Sequence, residues 1–158
     1  MLPSPPYSKT EIERRWLLPA EVELELHATR EREVEDRYIL ETRLRVRKVM
    51  ESGHQPIYKL GKKYEPHAPG AHQVVSTYLS EAEYEVLAKL PALVSRKRRK
   101  SVLGGALDVY LLPNPGLRIF EVEFSSPEAA AAYTPPSGVG KEVTNDPTFT
   151  GYSLAGAA

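Results

Sequence analysis

The chain has 158 residues, with 21 Lys plus Arg against 21 Asp plus Glu, so its zero formal net charge argues against a nucleic-acid backbone as partner. Hydrophobic residues make up 41% and charged residues 27%, the proportions of one globular domain over 1–158, and no apolar run approaches the ~20 residues that span a bilayer. Cysteine is absent, which excludes disulfides, thiolate nucleophiles and cysteine-held zinc or iron–sulfur centres, so any metal must take oxygen or histidine ligands.

The opening MLPSPPYSKT lacks the basic start and apolar stretch of a secretory signal; its prolines predict a short extended lead-in, and a cytoplasmic location is expected. Alternating runs then predict strands over 10–18, 37–49, 57–64, 74–79, 107–112 and 117–124, making the chain mainly β within an α+β class. Between them, Ser80 followed by Glu83 has capping-box spacing, with Tyr84, Leu87 and Leu90 on a helical face before Pro91 stops it. The Gly104-Gly105 pair reads as a hairpin turn. A second short helix is predicted from Pro127, capped by Ser126 and continued by alanines.

Successive side chains of a strand point to opposite faces, so Arg43, Arg45 and Arg47 share one face while Leu44, Val46 and Val49 fall mainly on the other. In the same way Glu11, Glu13 and Arg15 oppose Ile12, and Glu121 and Glu123 oppose Phe120, Val122 and Phe124. Asp108 with Tyr110, and Lys59 with Lys63, continue the pattern less cleanly. For any one strand, a sandwich with a solvated charged face explains this best. Taken together, strands that each concentrate charge of one sign fit a closed antiparallel barrel that is polar inside and apolar outside, with helices covering part of its wall. Carboxylates attract a divalent ion and guanidiniums attract phosphate oxygens, so an interior holding both suits a metal–polyphosphate complex.

In chain order, EIERR at 11–15, DRYILETRLRVR at 36–47, YKLGKK at 58–63, STYLSEAEYEVL at 76–87, VSRKRR at 94–99, LDVY at 107–110, FEVEF at 120–124 and KEVTNDPTFTGYSLA at 141–155 resemble the CYTH domains, or triphosphate tunnel metalloenzymes. That resemblance implies an eight-stranded antiparallel barrel with a few flanking helices, a Mg2+ or Mn2+ cofactor, and hydrolysis of tripolyphosphate or an organic or nucleoside triphosphate. It implies metal carboxylates at Glu11, Glu13, Glu121 and Glu123, with Asp108 a further candidate, and catalytic roles for Glu11, Glu13 and Arg15. Phosphate-binding roles fall on Arg43, Arg45, Arg47, Lys59, Lys63, Arg96 and Arg98. The last two follow the family pattern, whereas alternation counted from an outward Val94 directs Lys97 and Arg99 inward.

Two departures from the family carry consequences. Arg15 stands where the family has lysine, exchanging a compact ammonium for a planar fork, and VVSTYL at 74–79 lacks the acidic residues many hydrolytic members place there, implying a weak or absent second metal. Partners are expected to be triphosphate compounds or inorganic polyphosphate, with no nucleic acid or membrane, and the chain a monomer or homodimer. Rival readings are a non-catalytic polyphosphate or nucleotide receptor, an adenylate cyclase, and nucleic-acid binding through SRKRRK, the last disfavoured by the absence of interleaved aromatics. His27, His54, His67 and His72 read as solvated loop residues, and GVGK at 138–141 lacks phosphate-loop spacing and reads as a loop leading into a strand at EVT.

Overall fold

A computed structural model describes residues 5–157; the first four residues of the expected proline-rich lead-in lie outside it. Eight strands dominate: β1 (Lys9–Leu17), β2 (Ala28–Ile39), β3 (Leu44–Met50), β4 (Ile57–Lys63), β5 (Ala71–Leu79), β6 (Ala92–Val102), β7 (Gly105–Leu112) and β8 (Arg118–Phe124). They pair antiparallel in the order β2-β3-β4-β5-β1-β8-β7-β6, and β6 pairs back onto β2 from Ala28↔Val102 to Ile39↔Ala92. The sheet therefore closes into an eight-stranded barrel, which removes free strand edges. A two-residue β9 (Gly156–Ala157) adds to β6 at Leu93 and Val94.

The helices are short. α1 (Glu81–Leu87) begins with the predicted capping box, in which Ser80 accepts from the Glu83 amide and Glu83 accepts from the Ser80 amide. It ends at Leu87, a turn earlier than the apolar spacing suggested. α2 (Pro127–Ala132) is capped by Ser126, and α3 (Gly151–Leu154) by Thr150. Among the described residues no helix is long and apolar enough to cross a membrane.

Apolar packing lies on the outside of the barrel and at one end. Trp16, Phe120, Val122 and Leu107 point outward and pack with Leu18, Leu24 and Val102 beneath Val22, Tyr133 and Val139. On another flank Ile39, Val46 and Tyr58 are covered by Tyr84 and Leu87 of α1. Each such buried side chain contributes about 1.5–3 kcal/mol. The third cluster, Tyr110, Ile119 and Leu154 with Leu17, Leu117 and Phe149, plugs one end with the C-terminal segment. Gly151 sits directly against the Tyr38 ring, where a Cβ would overlap the hydroxyl, and Tyr152 meets the same ring edge-on.

Two boundaries differ from expectation. The run 37–49 is the end of one strand and all but the last residue of another, split by a turn at Leu40–Arg43 in which Glu41 adopts φ +63°. The first part of β2 showed no alternation because both of its faces are charged: Arg32 and Asp36 turn inward, while Glu33 and Glu35 turn outward to Arg96. The segment after GVGK forms no strand, only a single bridge between Glu142 and Trp16.

Candidate anion and metal site

The interior separates into a basic wall and an acidic wall. On the basic wall, β3 places Arg47 directly between Asp36 of β2 and Lys59 of β4. Arg47 grips Asp36 through Nε at 2.6 Å and Nη2 at 2.9 Å. Arg45 Nε stands 3.8 Å from the same carboxylate, beyond hydrogen-bond range, and is buried with no acceptor. On β6, Lys97 Nζ lies 2.8 Å from Asp108, and Arg99 binds it bidentately at 2.8 Å and 2.8 Å. Each acid is thus shared by two cations. Burial would raise both carboxyls, but Arg47 and Arg45 at Asp36, and Arg99 and Lys97 at Asp108, hold them well below the usual range. Lys59 has no carboxylate partner among the described residues and lies over the Tyr78 ring; burial, then Arg47 and Arg45, lowers its pKa. This wall carries excess positive charge.

The acidic wall is built on β1 and β8. Glu11 and Glu13 both reach Lys63 Nζ at 3.0 Å, which sits between them. Burial would lower Lys63, and Glu13 and Glu11 outweigh it to raise it. Glu121 lies 3.4 Å from Arg15 Nε and 3.8 Å from Arg99, yet burial first and then Glu13 push its carboxyl up. Arg15 is buried and donates to the Phe149 carbonyl, tying the acidic wall to the plug. Glu123 is paired across the strands with Glu13 but sits half-exposed beside Lys9 at 3.5 Å.

Several expected placements need correction. Arg96 and Arg98 do not line the interior: Arg96 is on the outer surface with Glu33 and Glu35, and Arg98, paired with Glu33, is exposed. Lys97 and Arg99 take the inward positions, as alternation from Val94 indicated. The irregularity nearby skips Leu111 of β7 and leaves β6 in uninterrupted register with β2 from Arg30 to Ile39. Asp108 is not a free metal carboxylate, because Lys97 and Arg99 occupy both its oxygens. Arg43 precedes β3 and pairs with Glu65 at the surface. His72 is no loop residue: it lies on β5 opposite Glu11, with Nδ1 2.8 Å from the Tyr64 carbonyl. Arg32 and Asp36 were missed, and since β2 is charged on both faces no periodicity could have singled them out.

The donors of the acidic wall are hard carboxylate oxygens, the chemistry Mg2+ and Mn2+ prefer. Lys63 shows that one cation fits between Glu11 and Glu13, and Glu121 brings a third carboxylate from the adjacent strand. Among the described residues no three acidic or histidine side chains are gathered as they stand, so an ion there would displace the ammonium and draw the acids inward.

The fold and its lining define a closed eight-stranded antiparallel barrel with a divided, charged interior. No protein-family model matches the chain, and no curated protein matches it. Among solved structures it is similar to the crystal structure of the inorganic triphosphatase NE1496, at 23% identity and TM-score 0.58, covering 94% of this chain and 95% of that one. A second crystal structure, described as that of the hypothetical protein NE1496, gives 24% identity and TM-score 0.58 over 92% of this chain and 97% of that one. At these identities the likeness is one of fold.

Proposed function

We propose that this protein is a divalent-metal-dependent triphosphatase, with inorganic tripolyphosphate the first substrate to test and an organic or nucleoside triphosphate the next. The observation that carries this reading is the division of one interior into a wall with surplus cations and a wall with surplus carboxylates, the charge distribution of a metal–polyphosphate complex in negative relief. The likeness to a barrel named as an inorganic triphosphatase agrees with it.

Glu11, Glu13 and Glu121 would hold Mg2+ or Mn2+, which when bound neutralises phosphate charge and makes water a better nucleophile. Arg45, Arg47, Lys59, Lys97 and Arg99 would grip the phosphate chain through charge-assisted hydrogen bonds. Arg15, between Glu121 and the plug, would steady the phosphate nearest the acids. Little covalent chemistry is asked of the protein in such a transfer; positioning and neutralisation carry the rate. The reading has the protein act on small phosphate compounds, as a monomer or homodimer, without nucleic acid or membrane.

A non-catalytic polyphosphate receptor is favoured by one observation: β5 turns Val74, Ser76 and Tyr78 inward, paired with Lys63, Gly61 and Lys59, and supplies no carboxylate. The deciding experiment is phosphate release from tripolyphosphate, thiamine triphosphate, ATP and longer polyphosphate under Mg2+ and Mn2+, with Arg45→Gln and Arg98→Gln alongside. Release from tripolyphosphate that needs the metal, weakened about tenfold or more in Arg45→Gln and unchanged in Arg98→Gln, supports the triphosphatase. Tight binding without release under either ion supports the receptor instead.

A further inference from the structure

Arg32 lies on β2 toward the end of the barrel opposite the Phe149–Leu154 plug, where Thr29, Arg30, Leu103 and Tyr78 are exposed; at this rim a groove open to solvent runs from Arg32 and Glu51 to Glu31, Glu33 and Arg98 of the outer face. Its cross-strand partner is Arg99, so two guanidiniums face each other on the inward surface. Like charges placed directly opposite in a ladder destabilise it. Arg99 is neutralised by Asp108, whereas Arg32 is not. Its Nε is buried with no acceptor, and its single side-chain hydrogen bond among the described residues is a long one, from Nη2 to Ser101 Oγ at 3.4 Å. The carboxylates whose fields reach it are committed elsewhere: Glu51 to Arg30 through contacts of 2.6–3.0 Å, and Asp108 to Lys97 and Arg99. Burial, then Arg30 and Arg99, lowers the Arg32 pKa, and Arg32 in turn helps lower that of Lys59. Arginine does not shed its proton to relieve such crowding. An anion relieves it.

We propose that Arg32, together with Lys59, forms an outer anion subsite that takes the phosphate group of a linear phosphate chain nearest the open end of the barrel. This rests on the phosphate-chain reading above and goes further, because it makes Arg32 a chain-length selector. With the plug closing one end, a chain enters from the Arg32 end; two phosphates seated among Arg45, Arg47 and Lys97, which pair with β2 from Val34 to Tyr38 on the plug side, stop short of Arg32, and a third reaches it.

Calorimetry of the parent and Arg32→Gln with sodium pyrophosphate and sodium tripolyphosphate tests this, without metal and at about 0.15 M salt, where the ~8 Å screening length separates contact from distant field. Tripolyphosphate affinity should fall about tenfold or more, as for loss of a charge-assisted hydrogen bond, while pyrophosphate affinity changes less than about threefold. Ligand-free Arg32→Gln should melt at or above the parent temperature, since it removes a like-charge pair; a merely structural arginine would lower it. Equal losses for both ligands, or no loss for either, overturn the subsite while leaving the tunnel reading intact. A parent protein that binds neither compound, in this buffer or with Mn2+ added, overturns both.

Discussion

Asp108→Asn probes the interior where its electrostatics are most concentrated. Asp108 is fully buried, and its two oxygens accept from Lys97 Nζ at 2.8 Å and from Arg99 Nε and Nη2, each at 2.8 Å. Asparagine keeps the shape but removes the charge, and its amide group turns donors toward donors. Breaking a buried pair by removing one partner costs about 3–5 kcal/mol, because the remaining charge is stranded. Two cations are stranded here, yet Arg99 keeps a distant contact with Glu121 at 3.8 Å, so about 3–4 kcal/mol is expected. Against a total stability of roughly 5–15 kcal/mol that is a large fraction, and at about 2–4 °C per kcal/mol it lowers the melting temperature by about 6–16 °C. Urea and thermal unfolding measure the loss. Tripolyphosphate should restore part of it, since the freed Lys97 and Arg99 bind the anion and ligand bound only to the folded state adds stability. There is also an acid-side signature. Asp36 and Asp108 have folded pKa values below their unfolded ones, so their contribution is complete above about pH 3.9 and is lost as the pH falls toward the folded values. The parent should lose stability steeply below about pH 4, and Asp108→Asn less steeply. An Asp108→Asn protein as stable as the parent in anion-free buffer would refute the pairing and return Asp108 to the metal carboxylates.

Glu121→Gln carries the opposite sign. The raised Glu121 carboxyl, lifted by burial and then by Glu13, stabilises the fold only while protonated, and that contribution is lost as the pH rises through the folded value. At neutral pH without divalent ions Glu121→Gln should therefore match or exceed the parent by about 1 kcal/mol or less, and it should lose much of the thermal stabilisation that Mn2+ gives the parent. Melting curves from pH 5 to 8, with and without Mn2+, check both; a lower ligand-free melting temperature would mean that Arg15 and Arg99 outweigh the crowding. Gly151→Ala forces a Cβ against the Tyr38 hydroxyl and should cost about 1–3 kcal/mol, as overpacking does. Limited proteolysis should then release the segment after Asp146 sooner than in the parent, and an unchanged digest would show that Gly151 does not seat the plug.

Side-chain direction along a strand is local, with a period of two set by the backbone, and that made the shared faces of Glu11, Glu13 and Arg15, of Arg45 and Arg47, and of Glu121 and Glu123 legible in the sequence. Their joint recurrence pointed to a polar-in barrel, and the closed sheet agrees. The same local rule chose Lys97 and Arg99 over Arg96 and Arg98, against the family pattern. It failed on β2, where ion pairs on the outer surface replace the apolar face that normally reveals a strand. What a buried charge does could not be read locally at all. Asp108 and Glu121 both sit on inward faces, but two cations on the neighbouring strand take up the first, while the second is buried with Glu13 diagonal to it on the adjacent β1. The condition of Arg32 depends on Arg99 facing it from β6, a register that only strand pairing establishes. The closed end likewise needs Gly151 to meet Tyr38 and Leu154 to meet Tyr110, contacts between distant parts of the chain. Electrostatic energy and packing depend on separations of a few ångströms, and those separations belong to the tertiary structure.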